Sequence, residues 1–226
     1  PLYSSAASDV YKRQVINGTY YLLKRPVKNI IITGIKEVKD YEIIEAANIK
    51  NYPSFISINK SKITKTLKQN PFIKDVQIKK NFKFQITINI TEEKVVAYNL
   101  TNQSYLLSNG TYINDKNFLG VPQLNNYTPE DVLKNFAEEL GKLDEDIIAD
   151  ISEIEYSPSK NETGETIDST RFKLKMKDGN TVYTNVKKCN VLSYYNQIYA
   201  SLKDKKGVIN LDSGNYERYV LTLYEE

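Results

Sequence analysis

Hydrophobic and polar positions change their period several times along the chain, and each change marks an element. Residues 27–33 (VKNIIIT) are a β-branched run closed by Gly34, the pattern of a strand. Asp40 is placed to cap a helix carrying Ile43, Ile44 and Ala47 on one face. A short turn-like stretch then offers Phe55, Ile56 and Ile58 for burial. Asn59 is placed to cap a second helix, whose Ile63 and Leu67 stack four apart and which Pro71 stops near Asn70. Lys74–Lys80 alternates Val76 and Ile78 with polar neighbours. Phe82–Thr91 sets Phe82, Phe84, Ile86, Ile88 and Ile90 against Lys83, Gln85, Thr87 and Asn89, which predicts a strand with one buried face. Strand, helix, helix, strand, strand makes a small α+β sandwich.

Beyond Lys94 the pattern becomes mostly β. Val95–Leu100 and Tyr105–Ile113 read as strands, the second broken by the turn pair Asn109-Gly110. Thr128-Pro129-Glu130-Asp131 predicts a helix start, with Thr128 as cap, Pro129 in the first turn and Gly141 as the stop. Its apolar face is Val132, Leu133, Phe136, Ala137 and Leu140. Ile151–Tyr156 is a strand, and residues 157–169 read as an exposed loop. Arg171–Lys177 and Thr181–Val186 form a hairpin across Asp178-Gly179. Val191, Leu192, Tyr195, Ile198, Tyr199 and Leu202 follow helical spacing. Residues 207–211 and 219–223 are closing strands.

Composition narrows the chemistry. The 226 residues contain no His, so Ser-His-Asp triads, Cys-His dyads and His-ligated zinc cannot be built. The lone Cys189 cannot form an internal disulfide, and so says nothing of compartment. Net charge is +3, but residues 1–94 carry 17 Lys+Arg against 8 Asp+Glu, whereas residues 95–226 carry 14 against 20. Such a division suggests two modules with different surroundings. The basic half lacks the Arg density and Gly–aromatic motifs of nucleic-acid modules.

The first fourteen residues, PLYSSAASDVYKRQ, contain neither Ile nor Asn and read as a non-native junction without periodicity. Tyr20, Tyr21, Leu22 and Leu23 before Lys24 and Arg25 have the character of a membrane helix's last turn at its aromatic, charged interface. Residues 1–25 are accordingly expected to be a leader plus the stub of a transmembrane segment.

The run from Pro26 to Tyr98 resembles the extracytoplasmic part of the FtsQ/DivIB family of bacterial cell-division proteins. Its carrying features are the V-x-x-I-x-x-x-G opening at Val27–Gly34 and the F-x-x-x-N at Phe55–Asn59. Next come the N-P-F-I-K-x-V junction at Asn70–Val76 and the E-x-x-x-V-A-Y at Glu92–Tyr98. Weaker likeness continues through Tyr105–Ile113, Lys177–Tyr183 and Gly207–Asp212. The resemblance implies a POTRA domain of β-α-α-β-β order at 26–94. A mostly antiparallel β domain with flanking helices and a C-terminal tail follows at 95–226.

It implies a non-enzymatic divisome scaffold without cofactor or metal, single-pass in the cell membrane at the septum with its C-terminal part outside. Such a scaffold binds bitopic partners of the FtsL, DivIC or FtsB type and helps to position and regulate septal peptidoglycan synthesis. No nucleic acid or small-molecule substrate is implied. The family's partner adds a strand to a sheet edge at the end of the second domain, which suits an edge's unpaired backbone groups. That edge is expected at Val208–Tyr216, with Val208, Ile209, Leu211, Ser213, Gly214 and Tyr216 in contact, although 207–211 equally suits a buried strand. Lys60, Lys62, Lys65 and Lys68 on the second helix are candidates for a membrane- or wall-facing basic surface, or for an ordinary solvated face.

Other classes are weaker. Asp144, Glu145, Asp146, Asp150, Glu153 and Glu155 supply acids for a hydrolase, but so dense a run suits a solvated face. Their spacing does not follow a calcium-binding loop. The stronger rival is a POTRA-containing binding module outside division, in polypeptide transport or surface assembly.

Overall fold

The computed structural model describes residues 2–114, 116–202, 205–212 and 220–224. The chain divides into two compact units, Pro1–Glu92 and Glu93–Glu226.

In the first unit, α1 (Leu2–Leu23) runs as a helix through the segment that shows no periodicity in the sequence. Most of its residues are ordinary helix formers, and a helix satisfies its own backbone without tertiary contacts. Val10, Tyr11, Val15, Ile16, Tyr20 and Tyr21 are exposed along it. Among the described residues no helix is long and apolar enough to cross a membrane. The order then is β1 (Asn29–Thr33), α2 (Asp40–Ala46), a 3₁₀ turn at Phe55–Ser57, α3 (Lys60–Leu67), β2 (Ile73–Asn81) and β3 (Gln85–Glu92). The sheet order is β1-β3-β2, with β1 parallel and β2 antiparallel to β3. Ile86, Ile88 and Ile90 are buried on the helix side, where Ile43, Ile63 and Leu67 meet them as the helical half of the core.

Local details differ from expectation at three places. Lys39, in extended conformation, occupies the α2 cap position, and Asp40 is the first helical residue. There its carboxylate favours the helix N-terminus by charge rather than by a cap bond. Asn59 does cap α3, accepting from Lys62 N at 3.0 Å. Ile56 is 46% exposed while Phe55 and Ile58 are buried, because one 3₁₀ turn points its middle residue away from the other two. Phe82 is the largest departure. It lies outside the strand and is 99% exposed. The Asn81 side chain closes a turn by accepting from Lys83 N and Gln85 N at 2.9 and 3.3 Å. Phe84 takes a left-handed φ of 57° and packs against Phe55 at 5.4 Å between ring centroids.

The second unit contains β4 (Val95–Asn99), β5 (Ser104–Leu107), β6 (Tyr112–Ile113), β7 (Gln123–Leu124), α4 (Glu130–Leu140), α5 (Glu145–Ala149) and β8 (Ile151–Tyr156). A hairpin of β9 (Ser159–Lys160) and β10 (Thr166–Asp168) stands where a loop is expected. β11 (Arg171–Met176), β12 (Thr181–Asn185), a 3₁₀ stretch at Val186–Tyr194, α6 (Tyr195–Ser201), β13 (Gly207–Asn210) and β14 (Val220–Leu223) complete it. Nine strands form one mixed, mostly antiparallel sheet in the order β14-β13-β12-β11-β8-β7-β4-β5-β6. The architecture is thus α+β, with the helices packed against the sheet. Phe136 of α4 stacks on Phe172 of β11 at 3.7 Å, and Leu133, Ala137 and Leu140 extend that contact.

Pro129, not Thr128, takes the α4 cap position: its extended backbone lets its carbonyl accept from Leu133 N at 2.9 Å. The Thr128 side chain is buried instead. Gly141 keeps helical geometry, and its smallness serves packing: a Cβ there would meet Ser108 Cβ at 2.3 Å. The acidic run is divided among different surroundings. Asp144, Glu145 and Asp146 are exposed at the start of α5. On β8, Glu153 and Glu155 pair across to Lys175 and Lys173 of β11 at 2.8 and 3.3 Å. The Lys175 hydrogen bond is the main cause holding the Glu153 carboxyl below its usual range.

Candidate partner-binding edge

The sequence places an exposed edge at Val208–Tyr216, and the structure puts a different strand there. β13 is paired on both sides, parallel to β12 and antiparallel to β14. Ile209 and Leu211 are wholly buried and Val208 is half-buried. These three are therefore interior residues of the sheet, while Ser213, Gly214 and Tyr216 lie outside the described residues. The edge passes to β14, which among the described residues has one neighbour and lies at the end of the strand order.

Why β13 sits inside follows from how its two ends are tied. Its first residue, Gly207, donates its N–H to Asn180 Oδ1 at 2.9 Å. Asn180 is itself buried in the Asp178–Asn180 turn between β11 and β12, its N–H donated to Asp178 Oδ1 at 2.9 Å. The Tyr195 hydroxyl of α6 donates to Asp178 Oδ2 at 2.6 Å and accepts from Asn180 Nδ2 at 3.2 Å. Burial, and then the Asp178 hydrogen bond, push the Tyr195 hydroxyl well above its ordinary pKa, so it stays neutral and donating. At the other end, Leu211 N and Asp212 N both donate to Tyr183 O, at 2.8 and 3.2 Å. Asp212 accepts from Arg171 Nε at 2.6 Å, and the Arg171 guanidinium lies 3.7 Å from the Tyr183 ring centroid. Both charged side chains of that pair are more than four-fifths buried, at 18% and 15% exposure.

β14 is laid on this base in a register that pairs Gly207 with Leu223, Ile209 with Leu221 and Asn210 with Val220. Gly207 is needed for the approach: a Cβ there would stand 2.2 Å from Thr222 O. Tyr224 ties down the strand's end, donating its N–H to Lys206 O at 3.0 Å and its hydroxyl to Thr181 Oγ1 at 2.7 Å. Leu221 packs against the core, and Leu223 remains 44% exposed. Strand alternation puts Leu221 and Leu223 on one face. The arrangement leaves backbone donors and acceptors on one side of β14, beside a half-covered leucine. At the far end of the sheet, β6 is two residues long, too short to template an added strand.

The other candidate residues are less concentrated. Lys60, Lys62, Lys65 and Lys68 are all exposed, but they do not make one patch. Lys60 lies near Lys80 at the start of α3, whereas Lys68 at its end pairs with Asp75 at 3.0 Å. Cys189 is buried in the core, which pushes its thiol far above the ordinary range. Among the described residues no group of three or more His, Cys, Asp or Glu could hold a metal ion.

Residues 25–93 match the FtsQ-type POTRA domain family. The chain is 30% identical to the cell division protein DivIB of Listeria monocytogenes over 195 residues, covering 83% of this chain and 70% of that protein. The chain belongs to the DivIB family. Against the DivIB of Bacillus subtilis it is 32% identical over 198 residues, covering 84% and 73%. Against that of Brevibacillus brevis it is 29% identical over 194 residues. A solved extracytoplasmic domain of DivIB from Geobacillus stearothermophilus aligns at TM-score 0.40 and 24% identity, covering 50% of this chain and 96% of that one, a likeness too slight to bear on the architecture.

The family motifs now have physical reasons. Glu92 of E-x-x-x-V-A-Y accepts from Glu37 N and Val38 N, both at 2.9 Å, and so pins the loop before α2 to the end of β3. Gly34 of the opening motif sits at φ 81°, where a Cβ would overlap Ile90 O. Asn70 of N-P-F-I-K-x-V accepts from Phe72 N at 3.0 Å, turning the chain from α3 into β2.

Proposed function

We propose that this DivIB-family chain is a division scaffold that captures a bitopic FtsL-, DivIC- or FtsB-type partner on the β14 edge. By holding that partner at the septum, it helps to place and regulate septal peptidoglycan synthesis. It does so without chemistry of its own, tethered to the cell membrane with this part outside. The observation that carries the reading is the side of β14 that no described strand pairs, with its half-exposed Leu223, in a chain of this family. An extended partner segment would gain backbone hydrogen bonds from β14 and cover Leu221 and Leu223 with alternate side chains. The Asn180–Tyr195 and Arg171–Asp212 ties keep β13 fixed, so the added strand meets a preset register and loses less entropy on binding.

The test is a titration of the full chain with the extracytoplasmic segment of a DivIC-type protein from the same genome. Leu223→Asp is the edge variant, checked by circular dichroism for retained fold. Binding weakened about tenfold or more by Leu223→Asp is the expected result, because a leucine that the partner would cover is exchanged for a charge. Binding indifferent to the variant would move the partner away from β14. No binding at high concentration would overturn the division-partner reading in favour of a POTRA module serving transport or surface assembly.

A further inference from the structure

In the first unit, one end of the sheet collects features that the scaffold role leaves unused. The turn Asn81–Phe84 is held by the Asn81 side chain, and its two phenylalanines take opposite fates. Phe84 packs inward on Phe55, whereas Phe82 stands on the tip, 99% exposed. Strand register fixes what lies level with it. Asn29, Gln85 and Asn81 stand side by side in the three strands, so Lys28, Lys79, Lys80 and Lys83 crowd the same end. The chain also reaches the unit here: Phe55 N donates to Arg25 O at 2.9 Å, and Pro26 bridges Ser54. Lys80 Nζ donates to Phe55 O and Ile58 O at 2.7 and 3.4 Å, bringing the start of α3 with Lys60 to the cluster. Burial, and then the Lys60 charge, hold Lys80 below the usual lysine range.

The acids lie elsewhere. Glu92 and Asp75 sit at the opposite end of β3 and β2, and Glu37 and Asp40 lie beside Glu92 in the loop and first turn that it pins. No carboxylate of a described residue pairs with Lys60, Lys79 or Lys83. Beside Phe55, Ile56 and Tyr52 are 46% and 50% exposed.

We propose that this turn is an interfacial membrane contact, which inserts Phe82 among the headgroups of an anionic bilayer while Lys28, Lys79 and Lys83 meet lipid phosphates. A single exposed apolar side chain is ordinary on a protein surface. An aromatic on a braced tip, ringed by unpaired lysines, combines the two attractions that hold a protein at a bilayer interface. Phe82 is almost wholly exposed, so it stands clear to enter a deformable lipid phase. Tyr20, Tyr21, Lys24 and Arg25, just ahead of Pro26, repeat the same aromatic–basic chemistry where the chain reaches this end. Of the four α3 lysines, only Lys60 belongs to the surface. The proposal does not depend on the partner reading: a failed partner titration leaves it standing, and a failed vesicle experiment leaves the β14 edge standing.

The chain has no Trp, so Phe82→Trp in the full chain creates a sole tryptophan at the tip, excited selectively over the tyrosines. It is titrated with vesicles of phosphatidylglycerol and phosphatidylcholine in equal parts, and with phosphatidylcholine alone. Expected are a blue-shifted emission and quenching by brominated lipid on the anionic vesicles, both reversed by high salt. In flotation, Lys79→Gln with Lys83→Gln should weaken binding by about fivefold per lysine. Phe82→Ser should weaken it roughly tenfold. All these positions are exposed, and circular dichroism checks that the variants fold. Unchanged emission on anionic vesicles would overturn the proposal. So would equal response on neutral vesicles without lysine dependence. A response to a soluble acidic polymer but to no vesicle would also overturn it and assign the tip to a polymer.

Discussion

The centre of the three-stranded sheet and the C-terminal edge of the nine-stranded sheet are held in different ways. In the three-stranded sheet, Ile86, Ile88 and Ile90 form an aliphatic row against α2 and α3, and each contact is backed by its neighbours two residues away. The C-terminal edge of the nine-stranded sheet hangs on named polar ties: Gly207 to Asn180, Asn180 to Tyr195, and Asp212 to Arg171. Apolar burial is non-directional and spread over many atoms. A buried polar tie depends on one geometry, and removing one partner strands the other. Substitutions in the aliphatic row therefore act through lost packing, whereas those at the edge act on the position of individual strands.

That contrast can be broken by substitution. The largest expected effect is Ile88→Ala, which empties the centre of the aliphatic row and should cost roughly 2–5 kcal/mol. Because Ile88 lies in the core of one of the two compact units, calorimetry should show one transition lowered and the other unmoved. A single transition shifting as a whole would deny that the units melt independently.

Asp212→Ala should cost less, about 2 kcal/mol, by leaving the Arg171 guanidinium, which is more than four-fifths buried, without its hydrogen-bonded carboxylate. Its signature is local: hydrogen exchange should accelerate at 207–211 and 220–223 while β3 keeps its protection. Uniform acceleration across the chain would show that the tie supports the whole fold rather than the edge.

The smallest effect is a pH dependence. The Tyr195 pKa is raised above its ordinary 10.0, chiefly by burial. In the window above about pH 10 the unfolded chain loses this proton while the folded chain keeps it, so stability falls as pH rises. Below pH 10 the contribution is fully present. Tyr195→Phe should flatten that alkaline slope in denaturant midpoints measured from pH 8 to 11, and an unchanged slope would assign it to other tyrosines.

Much of the fold was legible because its signals are local. The alternation at Ile86, Ile88 and Ile90, the Asn59 cap, the Asn70-Pro71 stop and the Asn109-Gly110 and Asp178-Gly179 turns each occupy a few consecutive residues. All of them appear in the structure where the sequence puts them. The same reasoning misplaced Phe82. Period two carries on through Phe82 and Phe84, but Asn81 folds its side chain back on the backbone and Phe84 turns left-handed, so the strand starts only at Gln85. The Asn between Lys80 and Phe82 was the available signal, since Asn favours such turns.

The edge was only half legible. Both 207–211 and 219–223 read as strands from their own residues, but nothing in either stretch says which lies outside the other. Amino-acid sequence by itself determined where most of the strands and helices from Val27 onward form, that no histidine is available for chemistry, and that the chain resembles a division-protein family. Tertiary structure alone decided that β13 is interior and β14 the edge. Strand order depends on distant partners: Asn180 reaches Gly207 across 27 residues, Arg171 reaches Asp212 across 41, and Gly207 lets Thr222 come close. Hydrophobic period reports which face of a segment is buried. It carries no record of which other segment lies beside it, because pairing runs through backbone groups that every residue shares.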